Sequence, residues 1–152
     1  MFYQILIPVI AGITGTTFMT IAILLVKRIT GRQINVIRIL GTMLTASTTA
    51  DGGCSRRLGS MATGVVGHYA VGIIFSFVYM YLWKHQLIGT DWITTSILGF
   101  VTGLTGIITW SIYFRVHAHP PHVPLKLYLS CILSAHILFA WGARWVIMNG
   151  PF

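Results

Sequence analysis

The sequence predicts an all-α, polytopic membrane protein: four transmembrane helices in a compact bundle, with an interfacial helix after the first span. Two observations carry this. The 152 residues are 55% hydrophobic and only 8% charged, whereas ordinary soluble domains are roughly a quarter charged. The few charges are also segregated. No Asp, Glu, Lys or Arg falls within residues 1–26, 58–83, 92–114 or 127–143, and each stretch is close to or beyond the roughly 20 residues that cross a bilayer core as a helix. Lipid offers the backbone no hydrogen-bond partners, so each crossing has to be helical. The length allows one compact unit. We place a single integral-membrane domain over residues 1–152, with spans at about 5–26, 60–83, 92–113 and 125–147.

Each element follows from its flanks. Only Phe2, Tyr3 and Gln4 stand before the first apolar run, without a basic n-region, so it reads as a retained span and not a cleaved signal peptide. Residues 32–50, RQINVIRILGTMLTASTTA, are too poor in apolar residues to cross. Ile34, Ile37, Leu40, Met43 and Leu44 fall on one side of an amphipathic helix, expected to lie in the membrane interface with Arg32 and Arg38 at headgroup level. Asp51-Gly52-Gly53 reads as a turn. The short connection 84–91 makes the second and third spans an antiparallel, neighbouring pair. In 117–124, HAHPPHVP, Pro120 and Pro121 end the third span and Pro124 opens the fourth.

The formal charge of +8 excludes little by itself, but its placement is informative. Eight of the ten Lys and Arg residues lie in the first and third connections. The positive-inside bias puts those connections in the cytoplasm and both termini outside. Trp83, Trp92, Trp141 and Trp145 then mark the outer boundary, and Tyr113 and Tyr128 the inner one, as interfacial aromatic belts. The basic residues, Arg32, Arg38, Arg56 and Arg57 among them, are expected to meet anionic lipid headgroups. No nucleic-acid motif accompanies the charge. Cys54 and Cys131 have no metal-ligand spacing and are expected as reduced thiols if both face the cytoplasm.

Small residues recur where helices have to approach. Ser60/Gly64 and Gly99/Gly103 have small-xxx-small spacing, and Gly72 follows Gly64 by two turns. Because lipid gives helices little hydrophobic reason to associate, such close van der Waals seams supply the contact. A faint internal repeat pairs Ile13-Thr14-Gly15 with Val101-Thr102-Gly103, and His68 and Gly72 with His136 and Gly142. Its halves would run parallel, related by an axis along the membrane normal.

Candidate chemistry centres on GHYAVG, residues 67–72. His68 and His136 fall at similar depths in the second and fourth spans, and an ionisable residue inside a membrane is a candidate site by default. The pair is suited to a haem or another porphyrin metal as axial ligands, to a quinone, or to a proton relay. The competing role is a hydrogen bond that joins two helices. Tyr69 points to a different face from its neighbour His68. His117, His119 and His122 form a second cluster that suits either a metal or an interfacial turn. Asp51 and Asp91 are the only acids and both lie in connections, so no carboxylate pair is available for hydrolysis, and no coherent serine–histidine–acid set is visible. That argues against an enzyme. Asp51 with Arg56, Arg57 and the histidine loop makes the best place for a phosphate headgroup.

His68-Tyr69, Gly72 and Phe75 together resemble the H-Y-x-x-G-x-x-F feature of small, uncharacterised four-helix bacterial inner-membrane proteins, and the Gly-rich third span and His136 resemble them too. The resemblance implies the architecture and the bacterial inner membrane, and it carries no activity. The leading expectation is an integral-membrane structural or accessory subunit, packing against partner helices, lipid or a second copy. The alternatives are a cofactor-binding redox or quinone subunit using His68 and His136, and a small oligomeric transporter.

Overall fold

The computed structural model describes residues 2–150, of Phe2 the backbone alone; the extreme ends of the domain expected over 1–152 lie outside the described residues. Over that stretch the chain forms α1 (Phe2–Thr30), α2 (Val36–Leu44), α3 (Leu58–Lys84), α4 (Trp92–Val116) and α5 (Leu125–Asn149). The four long helices are apolar and long enough to cross a membrane, each running beyond the span expected from sequence. Their ends are set locally. Asp91 caps α4 by accepting from the N–H groups of Ile93 and Thr94, both at 3.0 Å. Gly52, at φ +78°, closes the turn after α2.

Seen in section, the helices follow the order α3, α1, α5, α4, with α2 laid against α3. Helix α1 is therefore the two-sided one, and its buried residues show why. Gly12, Thr16 and Thr20 form one ridge at four-residue spacing and face α3: a Cβ on Gly12 would sit 2.5 Å from Ile73 Cα, and Thr20 bonds His68. The adjacent ridge of Ile7, Ala11, Gly15, Met19 and Ile23 is also buried, and Gly15 meets α5 at the Phe139 carbonyl, 2.7 Å from the position of a Cβ. Two neighbouring i, i+4 rows on one helix thus seat two partners.

Three expectations are corrected by this arrangement. Helices α3 and α4 are consecutive and joined by a short connection, yet they do not pack along their length. They meet where Tyr79 and Thr102 share a 2.7 Å hydrogen bond. A short connection fixes how close the helix ends are and leaves their splay free. Second, Trp83 and Tyr128 are not belt residues: both are buried, at 5% and 0% exposure, whereas Trp92, Trp141 and Trp145 are exposed. Third, α2 is the amphipathic helix expected after the first span, but its buried side is rotated from the expected one: Ile37 and Leu40 are half-buried and Leu44 is exposed. Ile34, Val36, Ile39 and Met43 are all buried, and Gly41 and Gly64 bring the α2 and α3 backbones together, a Cβ on either colliding with a carbonyl of the other helix.

Each half of the faint repeat, α1 with α3 and α4 with α5, packs as an antiparallel pair. A strict repeat would also pack α3 on α4 as tightly as α1 packs on α5. That fourth seam is the open one, and the candidate site lies in it.

The first and third connections share one end of the bundle. Thr48 Oγ1 donates to the His119 carbonyl (2.6 Å), the His122 N–H to the Gly52 carbonyl (2.8 Å) and His117 Nε2 to the Met43 carbonyl (3.0 Å). At the opposite end Arg144 bonds the Thr90 carbonyl and lies over the Trp92 ring, 4.2 Å from its centroid.

Candidate functional site

The buried residues of α3 are Ser60, Gly64, His68, Gly72, Ser76, Tyr79 and Trp83. All but one step is four residues. Four residues advance a helix by about 40° beyond a full turn, so this stripe winds from α2 at Gly64 to α1 at Gly72. His68 lies between those two glycines, a large polar side chain in a row of small ones.

Two hydrogen bonds lead from GHYAVG to α1. Thr20 Oγ1 donates to its own helix at the Thr16 carbonyl (2.7 Å), so it receives His68 at 3.1 Å as an acceptor, and His68 fills it with Nε2–H. Thr17 repeats the device: its hydroxyl donates to the Ile13 carbonyl (2.8 Å) and accepts from the Tyr69 hydroxyl at 3.1 Å. Adjacent residues on α3 point about 100° apart, yet both reach threonines on α1. The motif is a double latch between two helices. The threonine back-bonding legible in the sequence is one half of it.

The other side of His68 faces a cavity of about 410 Å³ between α3 and α4, floored by α1 and α5. His136 lines the same cavity, so the two histidines of the sequence pattern do share one space. Their roles differ. His136 Nδ1 lies 2.7 Å from the Ile132 carbonyl, which only accepts, so Nδ1 carries the proton and Nε2 is a bare lone pair. The Cε1–Nε2 edge rests over Gly106 of α4, where a Cβ would come within 3.1–3.4 Å. Phe75 of α3 stands edge-on to the ring, centroids 6.2 Å apart. Around these, Met19, Val36, Leu40 and Phe139 make the walls apolar, and Thr109, Trp110 and Tyr113 bring hydrogen-bonding groups from α4. Thr16, 1% exposed, also lines the cavity, and its hydroxyl has no hydrogen-bond partner.

This donor pattern does not fit haem held between two like imidazoles. His68 spends Nε2 on Thr20 and keeps Nδ1, whereas His136 spends Nδ1 and keeps Nε2. In the histidine loop, His117 is likewise committed to structure. His117 uses both nitrogens, one on the Met43 carbonyl and one receiving the His119 N–H at 3.2 Å. Among the described residues no three His, Cys, Asp or Glu side chains are placed to hold a metal ion.

The remaining candidates separate. Gly64 and Gly72 seat α3 on α2 and α1, and Gly99 and Gly103 seat α4 on α5, with the His136 carbonyl 2.8 Å from a Cβ on Gly99. Arg38 and Arg56 line a second, polar cavity at the basic end, and Arg32 and Arg57 are exposed outside it. Asp51 lines that cavity too. Its carboxyl is held below the usual carboxylate range, first by the Thr49 hydroxyl, then by the turn's own N–H groups. Sequence reasoning missed Thr16, Thr20 and Trp110 as neighbours of the histidines. The four-residue repeat of Gly12, Thr16 and Thr20 was a usable signal for the first two; nothing local marked Trp110.

No family model, curated protein or solved structure matches this chain.

Proposed function

We propose that this protein is an integral-membrane binding subunit for a lipid-phase molecule of the quinone class, held between α3 and α4. One observation carries the reading: an apolar intramembrane cavity of about 410 Å³ into which His136 presents an unshared Nε2 lone pair. Binding sites for small ligands are mostly apolar, with a few polar groups that fix orientation. A hydroxyl head donates to His136 Nε2, and a carbonyl head accepts from Thr109 or Tyr113 across the cavity. The opening between α3 and α4 gives a tailed molecule a way out toward lipid. When bound, such a molecule carries the electrons; the protein's residues hold and orient it and exchange protons with it.

The test uses protein in lipid nanodiscs and decylubiquinone as probe, read by quenching of tryptophan fluorescence. Saturable quenching is expected, with the responsive component lost in Trp110→Phe. His136→Leu should raise the Kd five- to tenfold, about the strength of one hydrogen bond. Non-saturable quenching, equal in all three proteins, would refute the assignment.

A second reading, an accessory subunit that seats a partner helix or a second copy in the same opening, is supported by the unpaired α3 and α4 seam. Native mass measurement separates the two, because it reports either a bound small molecule or a bound chain. We further place the protein in a bacterial inner membrane with both termini outside the cytoplasm. The family resemblance and the shared basic end of the first and third connections support this. Reporter fusions at each terminus and in the 84–91 connection test the orientation.

A further inference from the structure

At the basic end, α2 divides two cavities. Val36 and Leu40 line the histidine cavity, and Asn35 and Arg38 line a polar one of about 400 Å³. The polar cavity draws its walls from three separate segments: the start of α2, the turn at 49–56, and His122 of the third connection.

Its charged groups are held in place differently. The Arg38 guanidinium is braced from behind, Nη2 donating to the Cys54 carbonyl (2.8 Å) and Nε to the Ser55 carbonyl (3.4 Å), which leaves Nη1 uncommitted. Asn35 spends its side-chain oxygen on the Arg38 N–H (3.2 Å), leaving its NH₂ group as a donor. His122 is pinned by its N–H to the Gly52 carbonyl, and its ring packs on Gly52, where both the contact and φ +78° bar a side chain. Arg56 stands on the rim without a hydrogen bond, close enough to Asp51 for their opposite charges to attract. Asp51 is the one opposing charge, and its carboxylate is already engaged with Thr49 and the backbone of its own turn. The lining therefore carries two guanidinium groups against one committed carboxylate, with Asn35, Gln33 and His122 beside them.

We propose that this cavity binds a phosphate-type anion, with Arg38 as the braced ligand and Arg56 as the arm that closes over it. Planar, multi-donor guanidinium groups match phosphate oxygens better than point charges do. A phospholipid headgroup and free phosphate present the same chemistry, and the site lies where either has access.

Cys54 lines the cavity and reports its occupancy. The experiment measures alkylation of Cys54 by a maleimide, in a Cys131→Ala background, with the protein in neutral detergent. Inorganic phosphate or short-chain phosphatidylglycerol is added at matched ionic strength, with short-chain phosphatidylcholine as control. Slowing of at least threefold by inorganic phosphate establishes the free-anion form. Slowing by phosphatidylglycerol and not by phosphatidylcholine or phosphate establishes the headgroup form. Arg56→Gln, which breaks no hydrogen bond of the loop, should weaken protection at least fivefold, protection being measured against the same variant's rate without anion. Arg38→Lys, which keeps charge and loses the fork, should weaken it as well. Absence of protection by either anion, or equal protection in Arg56→Gln, overturns the proposal.

Discussion

Replacing Gly72 with Ala tests how α3 is seated on α1. A Cβ at Gly72 collides with Thr16 Oγ1, while its next contacts, Thr16 Cβ at 3.2 Å and the Gly12 carbonyl at 3.4 Å, are tight but tolerable. One hydroxyl oxygen therefore decides the outcome. Overpacking of this kind costs about 1–3 kcal/mol, and exchanging Gly for Ala in a helix returns roughly 0.5–1 kcal/mol, so Gly72→Ala should destabilise by about 1 kcal/mol. Thr16→Ala deletes the colliding oxygen, and that oxygen has no hydrogen-bond partner to lose. In the Thr16→Ala background the sign should invert, with Gly72→Ala becoming neutral or stabilising by about 0.5 kcal/mol, a coupling well above the additivity limit of about 0.5 kcal/mol. Thr16→Val keeps the bulk and should rescue nothing. Reversible unfolding in mixed neutral and denaturing detergent, followed by helical circular dichroism, measures the wild type, the three single variants and the two double variants. If Gly72→Ala costs the same with and without Thr16, the seam is not set by this contact and the packing argument fails.

Gly64→Ala should be more damaging, about 2–3 kcal/mol, because its Cβ meets only backbone: the Ile37 carbonyl, Gly41 N at 2.9 Å and Gly41 Cα at 3.1 Å. No rotamer relieves that, so α2 lifts from α3, and Cys54, half-buried with its thiol pushed up by burial, should alkylate about tenfold faster. Asp91 should give α4 an acid-sensitive start. The Thr94 hydroxyl, followed by N–H groups of the first turn, holds its carboxyl below the ordinary carboxylate value. The ionised form is thus favoured by folding; its contribution is full above the ordinary value and is lost as pH falls through the lowered one. Trp92 fluorescence should report fraying at acid pH, and Asp91→Asn, which still caps but does not titrate, should flatten the transition.

The spans, the basic end and the existence of α2 were legible because they depend on composition along the chain. An apolar run of the right length is helical in lipid whatever surrounds it. The small residues were legible as seams, since Gly64, Gly72, Gly99 and Gly103 stand at helical spacing, but a seam does not name its partner. Only the tertiary structure decided that α1 and α5 occupy the middle, that consecutive α3 and α4 splay apart, and that Tyr128 and Trp83 turn inward. Helix phase is the physical reason. Two histidines at one depth look alike in sequence, yet rotation about the helix axis sends His68 to a threonine of α1 and leaves His136 with a lone pair in the cavity. Depth is a property of the chain. Facing is a property of the packed bundle.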